Sequence, residues 1–376
     1  MDFPLIPVLL VMALAFANGA NDVSKAIATL VGSGVTSYRT AIAWGTVWTM
    51  VGACGAALFA TAMVKTFSNG LIQPAAVSTP ELGMSILAGS MIWVLLAART
   101  GFPVSTTHAL TGAIVGAGLV AFGTSGLVWP AIATKIALPL LLSPMLALMV
   151  AAVIHPIIRA AALRWEGTCL CVMPAQRALV TVDPQGKTHT LLQATGFGMP
   201  LADVPSRCER AGLRGVSINP DTMHWLSSGL ASCARGMNDA PKIVAMLLLG
   251  STMASGLGWS SQLMVFLGAA LAMGLGSFFG GLRVTEVLAE KVTRMDHVEG
   301  LSANLTTSSL VFVSATMGLP VSTTHVSSSS IIGIGLLKGL HEVRWGTVRD
   351  MVLAWIVTLP AAGLLAGLGY FLFTHL

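Results

Sequence analysis

Charged residues are scarce in this sequence: 9% of its 376 residues are Asp, Glu, Lys or Arg, whereas 55% are hydrophobic. Soluble domains carry about a quarter charged residues, so this composition excludes an ordinary soluble domain. A helix of roughly 20 apolar residues crosses a bilayer, and apolar runs of about that length occur at residues 42–63, 130–154, 261–281 and 348–373. The sequence predicts an all-α polytopic membrane protein.

Two other features are missing. The first apolar run, residues 3–16, has no basic segment before it and no small-residue cleavage site after it, so we interpret it as a membrane segment and not as a signal peptide. The five cysteines include Cys169, Cys171 and Cys208, whose spacing fits no strong zinc pattern. Free thiols in a reducing compartment are favoured over a metal site or a disulfide, and no cofactor or structural metal is predicted.

Two polar phrases each occur twice. Residues 101–108 read GFPVSTTH and residues 318–325 read GLPVSTTH, which is an offset of 217 residues. Residues 19–25, GANDVSK, and residues 236–242, GMNDAPK, have the same offset. Internal duplication is common in secondary transporters, so the shared offset predicts two copies of one membrane unit.

The predicted copies span residues 1–158 and 222–376, and an insert at residues 159–221 separates them. Inside the insert, Asp183-Pro-Gln-Gly186 is a turn signal between two runs of alternating apolar and polar residues. We predict a small water-exposed module with a β-hairpin, and a flexible linker is the alternative.

Positive charge is unevenly distributed between equivalent loops of the two copies. Arg39 lies in a loop whose counterpart, residues 251–261, has no charge. The loop at residues 65–81 has one lysine, whereas its counterpart, residues 282–300, has three basic residues. Cytoplasmic loops are enriched in Lys and Arg, so equivalent loops are predicted to lie on opposite faces. The repeats are therefore predicted to be inverted, with both termini outside and the insert in the cytoplasm.

The Asn-Asp pairs are the first candidate site. Only about 16 apolar residues precede Asn21 and Asp22, so we predict that the membrane helix is broken there. A carboxylate at that depth is costly and typically marks an ion or substrate path. An N-cap at the membrane interface is the alternative. The predicted cation ligands are Asn21, Asp22, Asn238 and Asp239.

The Ser-Thr-Thr clusters are the second candidate site. Pro103 and Pro320 start or break a helix, which places each cluster at the beginning of a short, re-entrant half-helix. The free N–H groups and positive dipole end there favour an anion, whereas simple helix capping is the alternative. The predicted anion site consists of Ser105, Thr106, Thr107, Ser322, Thr323 and Thr324. His108 and His325 end the phrases, and a packing role is favoured for them over a proton or substrate role.

The paired phrases resemble the inorganic phosphate transporter (PiT) family, whose signature is two GANDVAN-like motifs in inverted repeats. The resemblance covers both copies and not the insert. It implies cation-coupled uptake of phosphate across the cytoplasmic membrane by a homodimer. Sodium is the coupling ion in many members, and protons or metal–phosphate complexes serve in others. The resemblance also implies that the Asn-Asp residues bind the cation and that the six hydroxyl residues surround the phosphate.

Lys25 departs from this family, which usually has asparagine at the seventh place of the first motif. Its mate at the 217-residue offset is Lys242. An ammonium group can replace a monovalent cation electrostatically, so both lysines are predicted to tune the charge of the cation site. The coupling ion can therefore be sodium or a proton, and the substrate can be phosphate or another tetrahedral dianion. Snorkelling of Lys25 to the membrane interface is the alternative.

Three other functions compete with phosphate symport. A sulfate permease would use the same fold, and a passive anion channel is the alternative from another class. An intramembrane hydrolase built on Ser105 and His108 is disfavoured, because the same pair recurs in the second copy and an enzyme needs one nucleophile. No enzymatic activity is predicted.

The inverted arrangement makes a prediction about sidedness. In a background without the native cysteines, Arg39→Cys and Arg294→Cys should react with a membrane-impermeant thiol reagent only from the cytoplasmic face, because basic loops stay there. Ser255→Cys should react only from outside. Labelling of Arg39→Cys and Ser255→Cys from the same face would contradict the inverted repeat.

Overall fold

The computed structural model describes residues 5–59, 61–73, 79–165, 169–173, 176–182, 188–194, 199–203, 215–217, 219–249 and 259–375. The chain divides into two compact units. One unit combines residues 1–158 with residues 224–376, and the other comprises residues 159–223.

The long described helices follow from apolar stretches, and shorter amphipathic helices lie between them. They are α1 (Leu5–Asp22), α2 (Ser24–Gly32), α3 (Tyr38–Phe59), α4 (Thr61–Asn69), α5 (Pro80–Thr100), α6 (Thr106–Phe122), α7 (Leu138–Trp165), α8 (Pro220–Leu248), α9 (Trp259–Gly280), α10 (Leu282–Glu290), α11 (His297–Thr316), α12 (Thr323–Lys338) and α13 (Trp345–His375). A helical turn at Trp129–Ala131 and a π-helical stretch at Ile132–Ala137 lead into α7.

Six helical segments of the described chain are long and apolar enough to cross a membrane. They are Leu5–Gly32, Tyr38–Leu58, Pro80–Thr100, Trp129–Leu163, Gln262–Gly280 and Trp345–His375. The outward faces of these segments are apolar: Leu141 is 71%, Phe279 is 73% and Leu364 is 76% exposed. Such surfaces suit lipid and not water, so the prediction of a polytopic helical membrane protein is confirmed.

The helix junction at the first Asn-Asp pair differs from the predicted break. Only Val23 separates α1 from α2, and its dihedral angles, φ −56° and ψ −34°, are those of a right-handed helix. The Val23 N–H still donates to the Gly19 carbonyl at 3.2 Å. At the second pair, α8 runs without interruption from Pro220 to Leu248. The predicted break at Asn21-Asp22 is therefore limited to a single residue, and α8 is continuous through Asn238-Asp239.

Glycines let the helices of the two copies approach closely in a reciprocal way. A Cβ added to Gly276 on α9 would lie 1.9 Å from the Phe16 carbonyl oxygen of α1. A Cβ added to Gly52 on α3 would lie 1.9 Å from the Cys233 carbonyl oxygen of α8. Phe16 and Cys233 are separated by the same 217 residues as the repeated phrases. The helix that opens each copy thus packs against a helix of the other copy.

The second unit contains the described strands β1 (Cys169–Met173), β2 (Gln176–Val182), β3 (Thr188–Ala194), β4 (Met199–Asp203) and β5 (Gly215–Ser217). A three-stranded sheet has the order β4-β1-β5, and β2 pairs with β3 in antiparallel register, with Val182 opposite Thr188. This pairing agrees with the predicted hairpin. The turn at residues 183–187 and the thiol of Cys208 lie outside the described residues.

The contact at Gly52 predicts a stability difference between two glycines of α3. Gly52→Ala should lower the free energy of unfolding by about 1–3 kcal/mol, because the methyl group forces α3 away from α8. Thermal unfolding of the purified protein in detergent measures this change. The matched control is Gly55→Ala, where an added Cβ meets nothing within 4 Å. Equal stability of the two variants would contradict the close helix contact.

Candidate functional site

The two Ser-Thr-Thr clusters lie at helix N-termini. Ser105 and Ser322 have extended backbones and are the N-caps of α6 and α12. The Ser105 Oγ accepts a hydrogen bond from the His108 N–H at 3.2 Å, and the Ser322 Oγ accepts one from the His325 N–H at 3.1 Å. Both serines therefore satisfy free donors of a first helical turn. The predicted helix starts are confirmed, and the capping role that was the alternative applies to these two hydroxyls.

The loops before α6 and α12 contact each other through reciprocal hydrogen bonds. The Thr107 hydroxyl donates to the Val321 carbonyl at 3.4 Å, and the Thr324 hydroxyl donates to the Val104 carbonyl at 2.7 Å. Thr107 and Thr324 are equivalent at the 217-residue offset, and so are Val104 and Val321. The two distant phrases of the sequence therefore meet at one place in the fold.

The first Asn-Asp pair lies beside these loops and holds an ammonium group. The Lys25 Nζ is 2.5 Å from the Asp22 Oδ1, and both side chains are 1% exposed. The same Nζ donates to the Asn21 carbonyl at 2.9 Å, to the Asn21 Oδ1 at 2.6 Å and to the Val104 carbonyl at 3.4 Å. Lys25 is therefore buried and paired, which excludes snorkelling to an interface.

The second Asn-Asp pair has a looser version of this arrangement. The Lys242 Nζ is 3.4 Å from the Asp239 Oδ1. It donates to the Val321 carbonyl at 3.2 Å and to the Thr107 hydroxyl, in the other copy, at 2.8 Å. The Asn238 Nδ2 donates to the same Val321 carbonyl at 3.2 Å. Lys242 thus connects a predicted cation ligand with a predicted anion ligand.

Asn18 joins the two carboxylates, and the sequence reasoning missed it. Its Nδ2 is 3.1 Å from the Asp22 Oδ2, 3.3 Å from the Asp239 Oδ2 and 2.9 Å from the Thr106 hydroxyl. The Thr323 hydroxyl donates to the Asp22 Oδ2 at 3.5 Å. Four predicted site residues, Asp22, Asp239, Thr106 and Thr323, therefore share one buried network with Lys25 and Lys242 nearby.

Arg235 is the other residue that was missed. Its guanidinium group is 1% exposed and donates to the Asn18 Oδ1 at 3.4 Å, to the Ser277 hydroxyl at 3.5 Å and to the Thr49 hydroxyl. Arg235 is the mate of Asn18 at the 217-residue offset and precedes Asp239 by one helical turn. An arginine inside an apolar helix is itself a signal of a functional site, and this signal could have identified it.

Two polar atoms of this centre are free for a ligand. Within the described ranges, the Arg235 Nε and the Asn238 Oδ1 are buried without a hydrogen-bond partner. Unpaired buried donors and acceptors are costly. One free donor and one free acceptor within this buried centre therefore favour a ligand that can both accept and donate hydrogen bonds.

The two histidines that end the phrases contact each other. Their ring centroids are 4.6 Å apart, and the His325 ring lies 4.1 Å from that of Trp355. The His325 Nδ1 is 3.1 Å from the Leu140 carbonyl. Both histidines border a cavity of about 960 Å³ whose other walls are mostly apolar. These tilted ring contacts support the predicted packing role.

Apolar spanning helices around a buried cluster of charges and helix N-termini define a membrane transport protein. The chain matches the model of the phosphate transporter family over residues 18–366 and belongs to that family. The resemblance of the paired phrases to phosphate transporters is thereby confirmed.

Known proteins from several organisms are similar to this chain. A "probable low-affinity inorganic phosphate transporter" of Mycobacterium bovis is 32% identical over 373 residues, which cover 97% of this chain and 76% of that protein. A protein of the same name from Rhizobium meliloti is 29% identical, covering 98% of this chain and 96% of its own length. A solved structure titled "The sodium-dependent phosphate transporter" has a TM-score of 0.76 at 22% identity and covers 100% of this chain and 99% of its own. This last likeness concerns the fold.

The Lys25–Asp22 pair predicts a non-additive pattern of stability. Asp22→Asn should lower the free energy of unfolding by about 3–5 kcal/mol, because it leaves a buried ammonium group without its carboxylate. Adding Lys25→Met should recover most of that loss. Unfolding in mixed micelles measures both variants.

The matched control for this pair is Asp350→Asn. Asp350 pairs with Arg349 at 3.0 Å, but the two side chains are 49% and 73% exposed. Exposed ion pairs contribute about 0–1 kcal/mol, so this variant should resemble the wild type. If Asp22→Asn is no less stable than Asp350→Asn, the buried pair does not hold the centre together.

Proposed function

We propose that this protein is a secondary active transporter that carries inorganic phosphate across the cytoplasmic membrane together with a cation. The meeting of the two PVSTTH loops, which brings two helix N-termini to a buried cluster of charges, is the observation that carries this proposal. Membership of the phosphate transporter family supports phosphate as the substrate.

Phosphate binds between the N-termini of α6 and α12. Helix N-termini offer backbone N–H groups and a positive dipole end, which suit a phosphoryl oxyanion. Thr106, Thr107, Thr323 and Thr324 supply neutral hydroxyl groups, with Ser105 and Ser322 at the caps. The free Nε of Arg235 adds a charged donor, and the Asn238 Oδ1 accepts a hydrogen bond from a protonated phosphate oxygen.

The cation site lies at the two Asn-Asp pairs. Asn21, Asp22, Asn238 and Asp239 supply amide, carboxylate and main-chain oxygens, and the coupling ion is sodium or a proton. The ammonium groups of Lys25 and Lys242 lie among these oxygens. Asn18 is in hydrogen-bond contact with both carboxylates and with Thr106. Charge at the cation site therefore acts directly on the phosphate site, which is the physical basis of coupled transport.

The two copies act as inverted repeats, with α6 and α12 as half-helices that enter the membrane from opposite faces. The reciprocal bonds of Thr107 and Thr324, the reciprocal glycine contacts and the uneven loop charge support this arrangement. Residues 1–158 and 222–376 form the repeats, residues 159–221 form a cytoplasmic insert, and both termini are outside. The working form is a homodimer.

Transport exposes the phosphate site to one face at a time. The bonds from Thr107 to the Val321 carbonyl and from Thr324 to the Val104 carbonyl close the contact between the two loops. Separation of the loops on one side breaks these bonds and releases the ligand there. Because the two bonds are equivalent in the two copies, one can close the site towards one membrane face and the other can close it towards the opposite face.

Uptake into proteoliposomes tests this function. The protein should accumulate labelled phosphate against its concentration gradient when a cation gradient is imposed, and excess unlabelled phosphate or arsenate should compete. Excess sulfate should compete weakly, because it stays unprotonated and cannot donate to the Asn238 Oδ1. Downhill flux without accumulation would indicate a channel, and equal competition by sulfate would indicate a general permease.

Variants of Thr323 connect this assay to the site. Thr323→Val keeps the shape but removes the hydroxyl group, whereas Thr323→Ser keeps the hydroxyl group and is the matched control. A hydrogen bond to a charged group contributes about 1.5–3 kcal/mol, which is roughly one to two decades in the KM for phosphate. An unchanged KM in Thr323→Val would place the phosphate elsewhere.

A further inference from the structure

The charges at the centre do not balance. Three cationic side chains, Lys25, Lys242 and Arg235, face two carboxylates, Asp22 and Asp239, and each of the five residues is at most 2% exposed. Buried charges are tolerated only when they are paired. Each carboxylate has one ammonium partner, whereas the hydrogen-bond partners of the Arg235 guanidinium are the neutral groups of Asn18, Thr49 and Ser277.

The Lys25 ammonium occupies the kind of oxygen shell that would otherwise hold a free monovalent cation. Four oxygen atoms lie within 3.4 Å of its Nζ: the Asp22 Oδ1, the Asn21 Oδ1 and the main-chain carbonyls of Asn21 and Val104. These carboxylate, amide and carbonyl oxygens are hard ligands. A dissociable cation cannot enter this shell while the ammonium group remains there.

Lys242 has the equivalent position in the second copy. Its Nζ lies within 3.4 Å of the Asp239 Oδ1, the Val321 carbonyl oxygen and the Thr107 Oγ1. Val104 and Val321 are mates at the 217-residue offset. The two ammonium groups therefore fill corresponding oxygen shells, one at each Asn-Asp pair. The Lys242 ammonium also contacts Thr107, a residue of the predicted anion site.

We infer that the ammonium groups of Lys25 and Lys242 stand in for dissociable coupling cations, so that phosphate binds and crosses without sodium. This inference rests on the proposed function and deepens it, because it leaves the proton as the coupling ion. Arg235, whose hydrogen bonds go only to neutral groups among the described residues, supplies the excess positive charge that the anion neutralises. A sodium ion placed beside the two ammonium groups would add like charge to a centre that already has an excess of positive charge.

Phosphate exchange tests this inference without any ion gradient. Proteoliposomes loaded with unlabelled phosphate take up labelled phosphate by exchange, which requires binding and crossing but no driving force. Sodium is replaced by N-methyl-D-glucamine on both sides. The wild-type exchange rate and its half-saturating phosphate concentration should change by less than about twofold.

Charge-removing variants should reverse this behaviour. In Lys25→Gln with Lys242→Gln, exchange without sodium should fall by about tenfold or more, because both carboxylates lose their partners. Saturating sodium should restore most of it. Lys135→Gln is the matched control, because Lys135 is an exposed lysine outside the centre.

The wild-type measurement decides the matter even if the double variant does not fold. A loss of about tenfold in wild-type exchange on removal of sodium would overturn the inference while leaving phosphate transport intact. An absence of phosphate exchange under both ionic conditions would overturn the inference and the proposed function together. Sodium-independent exchange in the wild type, with sodium rescue of the variant, supports both.

Discussion

The buried ion pair between Asp22 and Lys25 is the interaction on which the centre of this protein depends. A carboxylate in an apolar interior needs a compensating charge, and the ammonium group in turn needs oxygen acceptors. Two of these acceptors belong to Asn21 and one is the Val104 carbonyl. The pair therefore fixes the extended loop that precedes α6. Because the Val104 carbonyl also accepts the Thr324 hydroxyl, the same pair indirectly positions the start of α12.

The two copies of the motif are repeated in sequence but are not equivalent in the structure. Asn18 in the first copy corresponds to Arg235 in the second. Equivalent positions of the centre therefore hold a neutral amide in one copy and a charged guanidinium group in the other. Lys25 is held at 2.5 Å from its carboxylate, whereas Lys242 is 3.4 Å from its own and reaches Thr107 of the other copy. The Asn21 Oδ1 accepts a hydrogen bond from Lys25, whereas the Asn238 Oδ1 is buried without a partner among the described residues. A ligand bound between the two copies therefore contacts different chemical groups on each copy.

Much of this arrangement could be predicted from the sequence. The scarcity of charge predicted the spanning helices, and Pro103 and Pro320 predicted where α6 and α12 begin, since proline cannot continue a helix. The predicted break at Asn21-Asp22 is confined to Val23 for a physical reason. Side chains one turn away, Asn18 and Lys25, satisfy Asp22, so the backbone has no need to unwind. The repeated phrases do not predict Asn18 and Arg235, because each lies immediately before a phrase and the two residues differ between the copies.

The reciprocal glycine contacts have a consequence for how the chain is made. α1 reaches its packing partner, Gly276 on α9, only after the ribosome has synthesised more than two thirds of the protein. Until then Asp22 and Lys25 can neutralise each other within one helical turn, because they are only three residues apart. Helices α1 and α2 can therefore remain in the bilayer without an unpaired charge before α9 is synthesised. Arg235 has Asp239 one helical turn away and enters the membrane after the first copy, whose Asn18 and Thr49 accept its hydrogen bonds.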